Sequence, residues 1–157
     1  WTALMRASSS VNVGMVRALI AEGADVDKAD NNGWTALMSA ASKGHVDVVK
    51  ALIAAGADKY SVDSYGRTAL MIASEFGRIE IVRLLLDRGA DPNIINVIGN
   101  TALIFASWNG HTEIVKILAP LTDNPNAPNK DGKTPILKTN RPTKEIERAR
   151  DESRGTA

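Results

Sequence analysis

Apolar residues recur along the chain in short stripes with helical spacing. The clearest example begins with three residues at i, i+3 and i+4, which predict one face of a first helix: Leu37, Ala40 and Ala41. A second stripe follows and predicts a second helix: Val48, Val49, Leu52 and Ile53. Gly44 and Gly56 come after the two stripes, where a left-handed residue is favoured at a helix end. A polar segment with Asp58, Asp63 and Gly66 comes next, so the pattern predicts helix, turn, helix and loop.

This unit repeats with a constant period of 33 residues, without insertion or deletion. Threonine marks the same position in five successive units: Thr2, Thr35, Thr68, Thr101 and Thr134. A threonine hydroxyl at this position can cap the first backbone N–H groups of a helix. Glycine, leucine and alanine positions keep the same phase. Because two short helices cannot bury both of their faces alone, stacking of the units predicts an all-α solenoid with loops along one edge.

The phrases of each unit resemble those of the ankyrin-repeat family, whose unit runs G-x-TPLH-x-A, then GH, then IV-x-LL, then GAD. The second unit has the corresponding phrases Gly33-Trp34-Thr35-Ala36-Leu37-Met38, Gly44-His45, Val48-Val49 and Gly56-Ala57-Asp58. The resemblance covers about residues 1–142. It implies helix–turn–helix units with projecting β-hairpin loops, and a surface that binds other proteins in place of a catalytic site.

We expect one ankyrin-repeat domain over residues 1–152. Its units are 1–33, 34–66, 67–99 and 100–132, with a capping repeat over 133–152 and a disordered tail over 153–157. Two departures from the family pattern affect the structure. Methionine or isoleucine replaces the family's histidine, as at Met38, so packing takes over from the hydrogen bonds of that histidine. Pro120 is expected to end the second helix of the fourth unit early.

Composition and charge exclude several classes of function. The 157 residues carry 19 basic and 18 acidic side chains, and a net charge of +1 provides no footprint for nucleic acid or an anionic membrane. The absence of cysteine removes disulfides, thiol nucleophiles and thiolate zinc sites. The uncharged stretch 92–112 is interrupted by asparagine and glycine, so no membrane span is expected. Without an N-glycosylation sequon, an intracellular, cytoplasmic location is expected, and we expect a monomer.

No catalytic or cofactor-binding pattern survives inspection of the sequence. Gly132-Lys133-Thr134 resembles the end of a phosphate-binding loop, but Ala127 replaces the first glycine that such a loop needs. His45 and His111 are two periods apart and therefore cannot share a metal ion or a catalytic dyad. Recurring aspartates are interpreted as turn residues: Asp25, Asp58 and Asp91. We therefore expect no enzyme activity, no cofactor and no metal site.

The resemblance implies that a partner contacts the positions that vary between units, at the hairpin tips, before each threonine and at the end of each first helix. Ten such residues form the predicted partner-binding face: Trp34, Lys43, Tyr65, Arg67, Glu75, Phe76, Val97, Ile98, Trp108 and Asn109. Asn100 is expected to be exposed with them, whereas Phe105 is assigned to the core. Aromatic residues are scarce, and their presence at variable positions is typical of interface anchors. The predicted function is binding of a partner protein or peptide on the concave face and hairpin tips.

Other hypotheses remain open at this point. Trp34 and Tyr65 can equally lie flat on their neighbouring loops, and Trp108 can pack on Phe76 to stiffen the stack. The opening on Trp1 rather than methionine motivates a second hypothesis, a regulatory or targeting fragment of a larger protein with its own catalytic domain. Stacking of nucleic-acid bases on the tryptophans is a third, which the small net charge disfavours.

Two asparagines are candidates for modification by resemblance to the family. Asn93 and Asn126 occupy the hairpin position that asparagine hydroxylases modify in ankyrin repeats, each with a leucine eight residues earlier, at Leu85 and Leu118. Protein from the native source would then be heavier by one oxygen atom per modified residue, and an unchanged intact mass would contradict the hypothesis.

Overall fold

The computed structural model of the protein describes residues 1–135. Within them, α-helices follow one another in four pairs. Their bounds are α1 (Ala3–Ser9), α2 (Val13–Ala21), α3 (Ala36–Lys43), α4 (Val46–Ala54), α5 (Ala69–Glu75), α6 (Ile79–Asp87), α7 (Ala102–Trp108) and α8 (Thr112–Leu118), with a 3₁₀ helix at Ala119–Leu121. The predicted all-α repeat solenoid is confirmed. Beyond residue 135, the predicted capping repeat (133–152) and the predicted tail (153–157) lie outside the described residues.

Each first helix begins after a threonine, as the sequence predicts. Four threonine hydroxyls accept a hydrogen bond from the backbone N–H three residues later, at 3.1 to 3.3 Å: Thr2, Thr35, Thr68 and Thr101. In α1 the cap is reciprocal, because the backbone N–H of Thr2 donates to the sulfur of Met5 at 3.4 Å. These bonds satisfy N–H groups that have no partner inside the helix, and so they fix where each unit starts.

The helices stack through equivalent faces. Helices α1, α3, α5 and α7 form one layer, and α2, α4, α6 and α8 form a second. Ala40, Ala73 and Ala106 are completely buried, and their small side chains allow neighbouring first helices to approach closely. Met38 and Met71 are buried beside them. These methionines therefore pack in the core at the position where the family has its hydrogen-bonding histidine, as expected.

The first and fourth units differ from the others at their second helices. Helix α8 has seven residues, whereas α4 and α6 have nine each, because Pro120 converts the end of the helix into the 3₁₀ turn. This confirms the early end predicted for that helix. In the first unit, Asn12 takes the position of the family's histidine, and its Oδ1 accepts the backbone N–H of Met15 at 2.9 Å. Helix α2 therefore begins with a side-chain cap that α4, α6 and α8 do not have.

The loops are closed by a side-chain oxygen that recurs once per unit. Oδ1 of this residue accepts the backbone N–H groups two and four positions later, in Asp30, Asp63, Asn96 and Asn129. This register was not predicted from the sequence. A second set of aspartates accepts the backbone N–H two positions later, which confirms them as turn residues: Asp25, Asp58 and Asp91.

Single backbone hydrogen bonds join each loop to the one before it. The N–H groups of Ser64, Val97 and Lys130 donate to carbonyl oxygens of the preceding loop, at 2.8 to 3.1 Å. Residues 1–135 contain no β-strand, since one such bond per loop is too few for a regular ladder. The projecting hairpins are therefore tight turns, arranged side by side along one edge of the solenoid.

The starts of α4, α6 and α8 are tied to the preceding unit. The Nε2–H groups of His45 and His111 donate to the carbonyl oxygens of Ser9 and Glu75, at 3.2 and 2.9 Å. In the unit between them, Nε of Arg78 donates to the carbonyl oxygen of Ser42 at 3.1 Å. Each of these acceptors is one of the last two residues of a first helix, where backbone carbonyls lack helical partners. The two histidines are therefore structural and lie in separate units, as predicted.

Substituting alanine for Gly33 is expected to lower the free energy of unfolding by about 2 kcal/mol, roughly twice the cost of Gly56→Ala. Both glycines have a positive φ, +73° and +88°, so each alanine introduces a strained left-handed conformation. A Cβ on Gly33 would also lie 2.9 Å from the carbonyl oxygen of Val62, whereas a Cβ on Gly56 meets nothing within 4 Å. Urea denaturation followed by circular dichroism measures both, and equal costs would show that the loop-to-loop contact is unimportant.

Candidate functional site

A groove of about 410 Å³ opens between the loops that end the second and third units and the first helices of the third and fourth units. Six of the ten predicted binding residues line it: Tyr65, Arg67, Glu75, Ile98, Trp108 and Asn109. Three further lining residues were not predicted as binding residues: Asn96, Asn100 and Phe105. The structure therefore brings together a majority of the predicted face and adds an aromatic ring, that of Phe105, to it.

Arg67 is held by two carboxylates and two aromatic rings. Its Nε donates to Oδ2 of Asp63 at 2.8 Å, and its Nη1 donates to Oε2 of Glu75 at 2.9 Å. The guanidinium carbon lies 5.5 Å from the ring centroid of Tyr65 and 5.7 Å from that of Trp34. Asp63 is buried, with 3% of its side chain exposed. The charges of Arg67 and Glu75 are therefore compensated within the protein, and these two residues shape the groove wall.

Trp34 lies on its own unit rather than in the groove. Its indole Nε1–H donates to the hydroxyl of Ser39 at 2.8 Å, and its ring is half-buried against the core. Of the two interpretations left open for Trp34, this geometry favours the structural one. Tyr65 differs, because it is 62% exposed and its ring forms part of the groove.

The wall formed by the fourth unit is aromatic. Phe105, assigned to the core from its register, is half-buried and faces the groove. The indole Nε1–H of Trp108 donates to the carbonyl oxygen of Thr134 at 3.3 Å, and Nζ of Lys133 lies 5.7 Å from its ring centroid. Trp108 is therefore oriented by the start of the fifth unit while it lines the groove.

Asn100 corrects one expectation about the variable positions. It was expected to be exposed before Thr101, yet it is only 1% exposed. Its Oδ1 accepts a hydrogen bond from Nδ2 of Asn129 at 2.8 Å, and its backbone N–H donates to Oδ1 of Asn96. An amide side chain is small and polar enough to be buried between two loops when its oxygen has a hydrogen-bond partner there. Asn100 thus supports the floor of the groove and offers little surface to a partner.

The other predicted residues lie outside the groove. Lys43 and Phe76 are exposed at the C-terminal ends of their first helices, and Val97 is exposed at a loop tip. Two further exposed apolar residues were missed by the sequence analysis, Val62 and Ile95, which share one register on successive loops. The same register holds Ala29 in the first unit and Pro128 in the fourth, so the β-branched residues in two successive loops are the signal that could have found Val62 and Ile95.

The predicted modification sites differ in their surroundings. Oδ1 of Asn93 accepts the backbone N–H of Asp123 at 2.9 Å, a bond between successive units. Oδ1 of Asn126 is buried and has no hydrogen-bond partner within residues 1–135. Hydroxylation of these residues stays a prediction.

Two features are absent from residues 1–135: a cluster of metal-ligating side chains and a membrane-spanning helix. No group of three or more histidine, aspartate or glutamate residues in this range could hold a metal ion. None of the helices described is long and apolar enough to span a bilayer.

Comparison with protein families agrees with the repeat architecture. A family model described as ankyrin repeats, three copies, matches residues 4–96, and a model for a single ankyrin repeat matches residues 98–130. No curated protein matches the chain. The two models follow one another and together span the four helix pairs, so the chain belongs to the ankyrin-repeat family.

Proposed function

We propose that the protein is an interaction module that binds a peptide or folded partner protein in the groove between its third and fourth units and along the neighbouring loop tips. Ankyrin repeats are generally protein–protein interaction modules and are typically not catalytic. The observation that carries the proposal is the aromatic lining of the groove by Tyr65, Phe105 and Trp108 on a rigid stack. Rigid aromatic side chains give large contact area at a small entropic cost.

The chemistry of the groove favours an uncharged, apolar anchor on the partner. Arg67 donates to both Asp63 and Glu75, so each of these side chains already has a partner of opposite charge. A charged side chain entering the groove would lose water and would have to compete with these existing pairs for a counter-ion. Tyr65, Ile98 and Phe105 instead offer apolar surface to an aliphatic or aromatic side chain.

The loop tips extend this surface. Val97 and Ile98 lie at the tip of the third loop, and both are exposed, at 52% and 40%. Because a backbone hydrogen bond joins Val97 to the carbonyl of Tyr65, the two loops hold their apolar side chains in a fixed relation. A partner that places one apolar side chain in the groove can therefore lay its neighbouring residues across these tips.

Peptides selected from a random display library against the protein are expected to share an apolar residue at a fixed position. The double variant Tyr65→Ala, Ile98→Ala should weaken their binding by at least about tenfold, or about 1.4 kcal/mol, because both residues line the groove. A matched control is available in Tyr60→Ala, Ile95→Ala, which removes side chains of the same type and similar exposure outside the groove. Fluorescence anisotropy gives both affinities.

Two outcomes would contradict the proposed site. Equal loss of affinity in both double variants would move the binding surface to the loops as a whole. Selection of acidic or basic peptides without an apolar residue would contradict the apolar anchor. A titration with short single-stranded RNA at low salt tests the alternative, and we expect no binding because the net charge of the chain is only +1.

The proposal takes the protein to be an intracellular monomer. Sedimentation velocity tests the oligomeric state, and a single species of twice the expected mass would contradict it.

A further inference from the structure

The outer face of the first unit is apolar and open to solvent. Met15 in α2 is 51% exposed, whereas the equivalent residues of the next three units are completely buried: Val48, Ile81 and Ile114. Those three residues are buried because each second helix packs against the second helix before it. Met15 has the same kind of side chain in the same register, but no preceding helix covers it in residues 1–135.

Two more positions show the same difference. Ala3 in α1 is exposed, whereas its equivalents are at most 2% exposed: Ala36, Ala69 and Ala102. Leu19 in α2 is half-buried, whereas its equivalents are completely buried: Leu52, Leu85 and Leu118. The open face therefore includes both helices of the unit. The one charged residue of α1, Arg6, is exposed.

The first loop has a backbone N–H group without an acceptor among the described residues, at the register where later loops bond to the loop before them. In later loops, the N–H groups of Ser64, Val97 and Lys130 donate to a carbonyl of the preceding loop. Asn31 holds this register in the first loop, and its N–H has no acceptor within residues 1–135. A unit packed before the first one would therefore cover the apolar side chains and also accept the hydrogen bond of the Asn31 N–H.

We propose that this face is an internal stacking interface and that its occupant is a further helix–turn–helix repeat, supplied by polypeptide that precedes Trp1 in the native protein. The same interface recurs three times along the chain. In the second, third and fourth units, the preceding unit covers these registers. A unit that ends a repeat array carries a polar outer face instead, because that face meets water. The first unit has the side chains of an interior unit at Ala3, Met15 and Leu19.

The native reading frame gives the most direct test. We expect the residues before Trp1 to continue the period of 33, with a threonine, a leucine and an alanine in the registers of Thr2, Leu4 and Ala7. A start codon directly before Trp1, or an upstream segment without this period, would overturn the proposal.

A stability experiment tests whether the face accepts a repeat. Residues 34–66 are placed directly before Trp1, so that the new junction repeats the phase of the natural ones, and the reference is the full chain with a glycine–serine segment of equal length. The added repeat should raise the melting temperature by several degrees and slow amide hydrogen exchange in α1 and α2 by about tenfold or more. If the melting temperature does not rise and hydrogen exchange does not slow, the face does not stack on a repeat.

Two variants separate stacking from other effects. Met15→Glu should remove most of both gains, because it puts a carboxylate into the interface, while Ala21→Glu, on an exposed position of the same helix, should retain them. Gains that survive Met15→Glu would overturn the proposal. Sedimentation of the unextended chain tests a second copy as the occupant: a dimer that Met15→Glu dissociates would assign the face to self-association and also overturn it.

Discussion

Replacing Leu85 with alanine is expected to destabilise the protein by about 3 kcal/mol or more. Leu85 is completely buried in α6, which packs against both α4 and α8. Removal of its side chain leaves a cavity that the rigid helices around it can fill only in part. Since the stability of a repeat stack arises largely from contacts between neighbouring units, one cavity weakens the interfaces on both sides.

The free energy of unfolding from urea titrations, followed by far-ultraviolet circular dichroism, measures this loss. Leu19→Ala is the matched control, because Leu19 has the same register in the first unit but is only half-buried. We expect it to cost about half as much, in proportion to the smaller burial. If both substitutions lower the free energy of unfolding equally, the cost of losing this leucine does not depend on whether a preceding unit covers it.

Replacing Asp63 with alanine is expected to cost about 3 kcal/mol, because one carboxylate serves both the loop and the groove. Its Oδ1 accepts the backbone N–H groups of Tyr65 and Arg67, and its Oδ2 accepts from the Arg67 side chain. Alanine would leave two backbone donors and part of the guanidinium without partners in a largely buried place. We also expect weaker binding of groove ligands, since Arg67 would no longer be held beside Tyr65.

Asp63→Asn separates the two roles of this side chain. Asn96 and Asn129 close the following loops with an amide oxygen, so asparagine at position 63 retains both backbone bonds. It loses the ion pair with Arg67, at a cost of about 1 kcal/mol. Urea titration of both variants gives the comparison. If Asp63→Asn is as damaging as Asp63→Ala, the ion pair dominates and the turn contributes little.

The repeat, the helix bounds and the caps could be predicted from the sequence because their causes are local. A threonine caps the helix that it precedes, and Pro120 ends the α-helix that comes before it. A fixed period also determines which faces meet, so the buried set of alanines and leucines followed from the register. Six groove residues were predicted by the resemblance to the family, which implies that a partner contacts the positions that vary between units.

The arrangement of the groove could not be predicted, because it depends on which side chains bond across a loop. Arg67 and Glu75 both occupy variable positions, and nothing in their spacing shows that they pair with each other. The same positions in an exposed arrangement would present two free charges to a partner. Trp34 likewise bonds to Ser39, and Asn100 is buried where it bonds to Asn129, and neither bond follows from the spacing of these residues.

The bonds from His45, Arg78 and His111 have a consequence for how such a protein can change in length. Each ends on a backbone carbonyl of the unit before it, and a carbonyl is present whatever side chain that position carries. If residues 67–99 were deleted at the level of the gene, His111 would face the carbonyl of Ser42 in the place of that of Glu75. Loss or duplication of whole periods therefore leaves a bonded junction, whereas a change that is not a multiple of 33 residues puts the two sides out of phase.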